Sequence, residues 1–309
     1  VAMLSVNNLS IEFSRYDKGW QRRTLHPVRD LSLHIAPGEI VAVVGSSGSG
    51  KSLLAHAILG LLPGNARHTG DILFQGEPVT PRSVKRLRGT RIALIPQSVA
   101  YLNPLAKVGR QVYRASRLSG QCCMDAARNT DCAFARYRLE SEVKAMYPFQ
   151  VSGGMARRVL TATATAGDAD LLIADEPTTG LDAEIIRQSL DHLRELADSG
   201  KGIMLITHDI DAAVTIADRV AVIYAGTTVE TAPASDFTAR GRLRHPYTRL
   251  LWNALPQRDF RYVAGNQPME DRLVQGCIYG ERCADRSDEC KSHQPLRAVG
   301  DGQVRCCHA

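Results

Sequence analysis

Short runs of apolar, often β-branched residues recur along the chain and predict buried strands. Each run is bounded by turn or helix signals, and helical stretches such as residues 183–199 lie between the runs. Strands that alternate with helices in this way indicate an α/β fold with a largely parallel sheet. The predicted buried strands are residues 40–44, 92–95, 171–174, 203–207 and 220–224.

The pattern changes at the start, in the middle and at the end of the chain. Residues 4–13 and 31–35 alternate apolar with polar positions, as half-exposed antiparallel strands do. The stretch from about residue 103 to 155 is short of strand signals and rich in helix formers, and beyond about residue 236 Arg, Pro, Gly and Cys become frequent. We therefore predict a main domain over residues 1–235, with a helical subdomain at about 100–156, and a C-terminal extension over residues 236–309.

Composition and charge argue against a disordered, fibrous, nucleic-acid-binding or membrane-spanning protein. Of the 309 residues, 44% are hydrophobic and 23% are charged, which is ordinary for a globular protein. The net charge of +6 is mild and spread along the chain, so nucleic acid is not expected as a partner. No apolar run approaches the ~18–20 residues that span a bilayer, and the first residues lack the features of a secretory signal. We expect a protein kept in the cytosol that partners hold at a membrane.

A phosphate-binding motif follows the first predicted buried strand. It matches G-x-x-x-x-G-K-[ST] in full and precedes an apolar helical run at residues 53–62, as the motif requires. Glycines let backbone N–H groups point at phosphate oxygens, and Lys51 is expected to reach the β- and γ-phosphates while the Ser52 hydroxyl ligates Mg²⁺. The alternative is a chance Gly/Ser loop, which the flanking strand and helix disfavour. The motif consists of Gly45, Ser46, Ser47, Gly48, Ser49, Gly50, Lys51 and Ser52.

Two acids end the predicted strand at residues 171–174. Ligands of open α/β folds bind at the carboxyl ends of the strands, so these acids are expected beside the phosphate-binding motif. We predict that Asp175 holds Mg²⁺, directly or through water, and that Glu176 orients and polarises the attacking water as general base. Without the phosphate-binding motif, two exposed acids at a strand end would be the simpler interpretation.

Four further motifs resemble those of ATP-binding cassettes, and their order and spacing agree with that family over about residues 4–235. The resemblance implies the P-loop NTPase fold, with a RecA-like core, an N-terminal antiparallel β subdomain and a helical subdomain. The residues that carry it are Ser152, Gly153, Gly154 and Met155 of the signature, residues 177–182 of the D-loop, the switch histidine His208 and the Q-loop glutamine Gln97.

Roles for these residues are implied by the resemblance. In the family, two cassettes hold ATP between the P-loop of one and the signature of the other, which implies nucleotide contacts for Ser152, Gly153, Gly154 and Asp182. His208 would contact the γ-phosphate, since a structural role at a strand end is usual for a lone histidine but not for one in this context. Gln97 would serve the Mg²⁺ ion and catalysis. An aromatic residue after the first strand usually stacks on adenine, and Phe13 and Tyr16 are both candidates, while Phe13 could equally belong to the core.

The extension resembles that of peptide and nickel importer ATPases. His245-Pro246-Tyr247 and the spaced cysteines of residues 277–307 carry this likeness. The spacing C-x₅-C-x₆-C fits neither tight zinc motifs nor ferredoxin runs. In related ATPases such a tail binds a [4Fe–4S] cluster, which implies Cys277, Cys283, Cys290 and Cys307 as ligands, with Cys306 as a neighbour or substitute for Cys307. Zinc and unligated thiols are the alternatives. The mid-chain Cys122, Cys123 and Cys132 are expected to have no function.

The family implies an importer subunit that binds and hydrolyses ATP. ATP would close a dimer with a second, related ABC ATPase subunit at the cytoplasmic face of the inner membrane, and closure would drive two membrane permease subunits. An extracytoplasmic solute-binding protein would deliver a peptide or a nickel-type complex. Some sequence features favour the peptide and others the nickel complex. A ribosome- or nucleic-acid-directed cassette, an exporter ATPase and a non-hydrolysing cassette are the rivals, which the single cassette, the extension and the intact catalytic residues disfavour.

Overall fold

The computed structural model describes residues 1–16, 22–239, 242–258, 265–268 and 274–309. The chain divides into two compact units. Unit 1 comprises Val1–Ile35, Ile40–Val79 and Ile206–Ala309, and unit 2 comprises Ala36–Glu39 and Thr80–Leu205. The C-terminal extension therefore belongs to the same unit as the phosphate-binding motif.

The strands follow the predicted α/β order, with additions at the end of the chain. They are β1 (Leu4–Tyr16), β2 (Arg22–Ile35), β3 (Ile40–Val44), β4 (Ala66–Phe74), β5 (Glu77–Pro78), β6 (Ile92–Ile95), β7 (Leu171–Asp175), β8 (Gly202–Ile206), β9 (Arg219–Tyr224), β10 (Thr227–Pro233), β11 (Arg297–Val299) and β12 (Gly302–Val304).

The helices connect these strands, and none in the described part of the chain combines the length and apolarity needed to span a bilayer. They are α1 (Lys51–Ile58), α2 (Ser83–Leu87), α3 (Val108–Leu118), α4 (Cys123–Arg136), α5 (Gly153–Thr165), α6 (Ala183–Asp198), α7 (Ile210–Ile216), α8 (Ala234–Thr238) and α9 (Pro246–Asn253). Short 3-10 helices lie at Val99–Tyr101, Ser141–Ala145, Pro148–Gln150, Gly280–Arg282 and Asp288–Lys291.

Unit 1 contains an antiparallel sheet with the strand order β2-β1-β4-β5. Its first two strands pair with Leu4 opposite Ile35, which confirms the antiparallel prediction for the start of the chain. Leu4 and Val6 of β1 are buried, and after a register shift so are Leu9 and Ile11, so the apolar face packs inward and the polar face is partly exposed.

The remaining strands of unit 1 have the order β11-β12-β10-β9-β3. Strands β3 and β9 are parallel, whereas β10 pairs antiparallel with β9, β12 antiparallel with β10, and β11 antiparallel with β12. Strand β10 has no counterpart among the predicted strands, because its buried positions include the polar Thr228, Glu230 and Thr231. Threonine suits a pleated strand through its β-branch, but a polar sequence does not reveal burial.

Unit 2 contains strands β8, β7 and β6 in that order, and β6 is parallel to β7 with Ile92 opposite Leu171. Helices α3, α4 and α5 follow β6 and share a core that includes Val112, Phe134 and Val159. The predicted helical insertion is thus present, and its last helix continues to Thr165.

An aromatic core joins the extension to the parallel strands of unit 1. Tyr224 at the end of β9 packs against Tyr247 and Tyr279, with ring centroids 4.5 and 5.2 Å apart. Phe237 and Trp252 form an edge-to-face pair in the same cluster. The extension therefore packs directly onto the strands that carry the phosphate-binding motif.

Candidate nucleotide site

The phosphate-binding motif forms a tight loop between β3 and α1. A Cβ atom on Gly45 would lie 2.2 Å from the carbonyl oxygen of Ile223, so only glycine fits where the loop leaves the strand. Gly50, with φ at 91°, takes a left-handed conformation immediately before the helix. Helix α1 begins at Lys51 and ends at Ile58, earlier than predicted.

The lysine of the loop lies inside it. Lys51 is buried, and its ammonium group donates to the carbonyl oxygens of Gly45 and Ser46 at 2.8 and 2.9 Å and to the Ser49 hydroxyl at 3.4 Å. The backbone N–H of Gly226, in the turn after β9, donates to the Ser49 carbonyl at 3.1 Å. The loop is therefore held from within by its own lysine and from outside by the neighbouring turn.

A cavity of about 310 Å³ borders the exposed part of the loop. Ser47 and Gly48 line one side, and His26 and Arg29 of β2 line another. Gln267 of the extension contributes to the wall. A polar cavity with a basic side chain, next to a glycine-rich turn, suits an anionic ligand.

The two predicted acids lie together at the end of β7 in unit 2. Asp175 and Glu176 are both buried, at 5% and 8% exposure. Glu176 has φ at 51°, which turns the chain sharply after the strand, and its carboxylate accepts a hydrogen bond from the Thr179 hydroxyl at 3.2 Å. The Arg157 guanidinium donates to the Glu176 carbonyl oxygen at 3.1 Å. Burial lowers the pKa of Arg157, and the negative charge of Glu176 opposes this shift.

The signature residues open helix α5. Ser152 is its N-cap, with the side-chain oxygen accepting the Met155 N–H at 3.2 Å. Ser152 and Gly153 are exposed and Gly154 is half-buried. The backbone N–H groups of the first turn, together with the helix dipole, make this end of a 13-residue helix attractive to anions.

The remaining predicted nucleotide contacts lie at the ends of other elements. Gln97 is exposed shortly after β6, and His208 is exposed shortly after β8. Asp182 is the N-cap of α6 and accepts the Ile185 N–H at 3.0 Å, so it has a structural role in addition to any contact with nucleotide. Of the two adenine candidates, Phe13 is half-buried opposite Leu25 in the antiparallel sheet, and Tyr16 is 69% exposed at the end of β1.

Two of the predicted cluster cysteines of the extension lie close together. The Cys290 and Cys307 sulfurs lie 3.5 Å apart, and the His308 Nε2 atom lies 3.8 Å from the Cys290 sulfur. Among the described residues, these three form a potential metal-binding group whose ligand atoms lie within 4.8 Å of one another, and Cys277 and Cys283 stand outside it. The Cys277 backbone N–H nevertheless donates to the Cys290 carbonyl at 2.8 Å.

The Cys290 and Cys307 thiols differ in pKa. Burial raises the pKa of Cys290, but hydrogen bonds from Ser287 and Cys307 outweigh it and bring the pKa to about 7. Burial and the Cys290 sulfur raise the pKa of Cys307 to about 11. Because thiols bind metal only as thiolates, Cys290 reaches the metal-binding form more readily than Cys307. The mid-chain Cys122, by contrast, caps α4 by accepting the Asp125 N–H.

Comparison with known proteins decides the family. The family described as ABC transporter matches residues 28–179, and the oligopeptide/dipeptide transporter C-terminal region matches residues 229–290. The oligopeptide transport ATP-binding protein OppD of Salmonella typhimurium is 35% identical over 323 residues, which cover 99% of this chain and 93% of that protein. This chain belongs to the ABC transporter ATP-binding proteins.

Two further likenesses agree with that assignment. OppD of Escherichia coli is 35% identical over 324 residues, with the same coverage of both chains. The dimeric ABC transporter cassette MJ0796 has the same fold, with a TM-score of 0.66 at 23% identity, covering 75% of this chain and 99% of that one. The predicted cassette fold is thus confirmed, and this ABC protein is an ATPase that uses ATP and Mg²⁺.

The chemistry of several residues of this ABC ATPase suits ATP and Mg²⁺. The loop around Lys51 encloses a basic ammonium in a cradle that a side chain on Gly45 would fill. Ser52 and Asp175 each carry the kind of oxygen donor that Mg²⁺ prefers.

Sequence reasoning missed several residues near these sites in the ABC ATPase. Arg157 was visible as an arginine in the signature helix, but its contact with Glu176 was not. His308 follows the last cysteines directly, and a histidine beside a thiol pair was the signal available. Tyr247 belongs to the His245-Pro246-Tyr247 motif, but nothing in the sequence connects it, or Gln267, to the phosphate-binding loop.

Proposed function

We propose that this chain is the ATP-hydrolysing subunit of a peptide importer. One observation carries the proposal: an extension matching the oligopeptide/dipeptide transporter region packs onto the strands that bear the phosphate-binding loop. The two OppD relatives, which span nearly the whole chain, are named as oligopeptide transport proteins. Uptake of a nickel-type complex is the alternative outcome that a transport assay distinguishes.

The proposed roles follow from the chemistry of each residue. The N–H groups of residues 45–52 and the Lys51 ammonium bind the phosphates, and Gln97, Ser52 and Asp175 hold Mg²⁺. Bound Mg²⁺ supplies positive charge that neutralises the phosphate oxygens during transfer.

Glu176 accepts the proton of the attacking water, and His208 donates a hydrogen bond to the γ-phosphate. The Thr179 hydroxyl and the Arg157 guanidinium hold Glu176 in place, at its carboxylate and its backbone respectively.

A second cassette completes the proposed site. The exposed N-terminal end of α5, with Ser152, Gly153 and Gly154, is an anion site that the phosphates of ATP on another subunit would occupy. Asp182 lies at the same interface in this proposal. The partner is a related ABC ATPase, which gives a heterodimer whose closure depends on the γ-phosphate.

The permease subunits are proposed to meet unit 2. A groove of about 820 Å³ runs along α3, with Leu105, Arg110, Arg114 and Tyr147 among its lining residues. Leu105 is 88% exposed, so the groove offers apolar contact beside four basic side chains. This combination favours an amphipathic, acidic cytoplasmic segment of a permease. Through two such permeases the ATPase works peripherally at the cytoplasmic face of the inner membrane, while an extracytoplasmic solute-binding protein delivers the peptide.

The tail is proposed to bind metal through sulfur. Thiolates are the ligands that iron–sulfur clusters require, and we assign a [4Fe–4S] cluster to Cys277, Cys283, Cys290 and Cys307. The Cys290–Cys307 pair and the backbone hydrogen bond from Cys277 to Cys290 support this set. His308, close to Cys290, favours zinc as the competing outcome, because zinc accepts mixed Cys and His ligands.

The test of the catalytic assignment is Glu176→Gln. The variant keeps the shape of the side chain but lacks a base, so ATP binding is retained while turnover falls at least about 100-fold. Glu142→Gln, an exposed glutamate of the same unit, is the matched control and retains wild-type turnover. Turnover by Glu176→Gln near the wild-type rate would remove Glu176 from the role of general base.

A further inference from the structure

Two side chains of the extension reach Ser46 of the phosphate-binding loop. The Tyr247 hydroxyl lies 3.3 Å from the Ser46 hydroxyl oxygen. The Gln267 side-chain amide donates a hydrogen bond to the same oxygen. Two polar groups, 201 and 221 residues further along the chain, therefore converge on a single hydroxyl of the loop.

Packing fixes the position of the Tyr247 hydroxyl. Tyr247 lies in the first turn of α9, directly after Pro246, and only 4% of it is exposed. Its ring centroid is 4.5 Å from that of Tyr224 and 5.5 Å from that of Tyr279. The hydroxyl cannot leave Ser46 without disturbing these rings. Burial raises the pKa of Tyr247, although hydrogen bonds with Ser46 oppose the shift, so the hydroxyl keeps its proton at neutral pH.

Gln267 connects the loop to the turn after β9. Its side-chain oxygen accepts the Ala225 N–H at 3.2 Å, while its amide nitrogen donates to Ser46. The next residue of that turn, Gly226, donates to the Ser49 carbonyl, so the turn is linked to the loop directly through Gly226 and indirectly through Gln267. Gln267 also lines the cavity that Ser47 and Gly48 border.

These contacts are independent of the loop lysine. Lys51 donates to the carbonyl oxygens of Gly45 and Ser46, and its proposed role commits it to phosphate when nucleotide binds. The bonds to the Ser46 hydroxyl do not involve Lys51 and are compatible with either arrangement of the lysine. They are therefore suited to keep the first half of the loop ordered while the lysine changes partners.

We propose that Tyr247 and Gln267 are positioning residues for nucleotide binding, which hold the phosphate-binding loop in its ligand-ready conformation through Ser46. The inference rests on the proposed role of the loop in binding phosphate. A loop ordered in advance loses less conformational entropy when its ligand binds. Loss of these contacts lowers nucleotide affinity and leaves the hydrolytic step unchanged, because neither residue belongs to the segment that carries Glu176.

The experiment is a fluorescence titration of the full-length protein with MANT-ATP and Mg²⁺. Tyr247→Phe removes one hydroxyl and keeps the ring, so the Kd rises about five-fold, the effect of a neutral hydrogen bond of about 1 kcal/mol. Ser46→Ala removes both contacts and raises the Kd further. In the Ser46→Ala background, Tyr247→Phe adds nothing, since its partner is already absent. In steady-state assays, Tyr247→Phe raises the KM for ATP and retains the wild-type kcat.

Two control variants distinguish a failure of the positioning role from a failure of the proposed role of the loop in binding phosphate. Tyr279→Phe removes a hydroxyl from the adjacent ring of the same cluster and retains wild-type affinity. Lys51→Ala abolishes MANT-ATP binding if the loop binds phosphate, and wild-type binding by this variant would overturn the proposed role of the loop itself.

If Lys51→Ala fails to bind MANT-ATP but Tyr247→Phe binds it with wild-type affinity, the role of the loop stands and the positioning role is overturned. An undiminished effect of Tyr247→Phe in the Ser46→Ala background would equally overturn it, because the residue would then act by another route.

Discussion

Acid should destabilise the extension through one buried histidine. His245 is 1% exposed and is the N-cap of α9, where its Nδ1 atom accepts the Tyr247 N–H at 3.1 Å. Protonation would turn this acceptor into a donor and break the cap. Burial, reinforced by the positive charges of Arg249 and Arg305, lowers the pKa of His245 to about 3. The His245 backbone N–H donates to the buried carboxylate of Glu230 at 2.9 Å.

The magnitude follows from the difference between folded and unfolded pKa values. The unfolded chain binds a proton near pH 6.5, and the folded chain does so only near pH 3, so stability is complete above about pH 6.5 and is lost as the pH falls towards 3. Over the roughly 1.5 units from pH 6.5 to pH 5, at about 1.36 kcal/mol per unit, the loss is about 2 kcal/mol. His245→Asn retains a good N-cap acceptor without a titrating group and should remove this loss.

The assay is urea unfolding of both proteins at several pH values between 8 and 5. Trp252 of α9 is buried and reports on the extension, and a Trp20→Phe background removes the other tryptophan of the sequence. Glu230 and the buried His192, whose pKa burial lowers to about 4, titrate in both proteins, so the difference between them isolates His245. Equal falls in unfolding free energy between pH 8 and pH 5 would refute the reasoning.

Two further predictions concern the loop and the tail. Gly45→Ala would place a methyl group 2.2 Å from the Ile223 carbonyl, so we expect ATPase activity to fall at least about ten-fold, and unchanged kinetics would show that the loop tolerates a side chain there. Anaerobically purified protein should contain iron and sulfide in equal amounts, lost in Cys290→Ser. Zinc without sulfide, with loss of zinc in His308→Ala, would replace the cluster assignment by a zinc site.

The parts of the fold that the sequence predicts are those governed by local patterns. Apolar runs place β3, β6, β7, β8 and β9 within a residue or two, because buried parallel strands are continuously apolar. The phosphate-binding loop follows from its glycines and lysine. The caps at Ser152 and Asp182 agree with the general preference of serine and aspartate for helix N-termini.

The parts that the sequence did not predict depend on distant contacts. Strand β10 is polar in sequence yet buried, because β9 and β12 pair with it on either side and the extension packs around it. Ser46 and Tyr247 are 201 residues apart in the sequence, and a local pattern of apolar and polar positions carries no information about such a contact. Similarly, the spacing of the tail cysteines does not show that Cys290, Cys307 and His308 form the tightest group.

ATP-driven uptake tests the central claim most directly. The ATPase would be purified from native membranes with the chains that accompany it, reconstituted in proteoliposomes with a co-purified binding protein, and supplied with labelled oligopeptide or nickel. We predict that peptide accumulates only with ATP and that Glu176→Gln abolishes its accumulation. Accumulation of nickel without peptide would contradict the substrate assignment, and purification without membrane chains, or uptake that survives Glu176→Gln, would contradict the account of an ATP-driven importer.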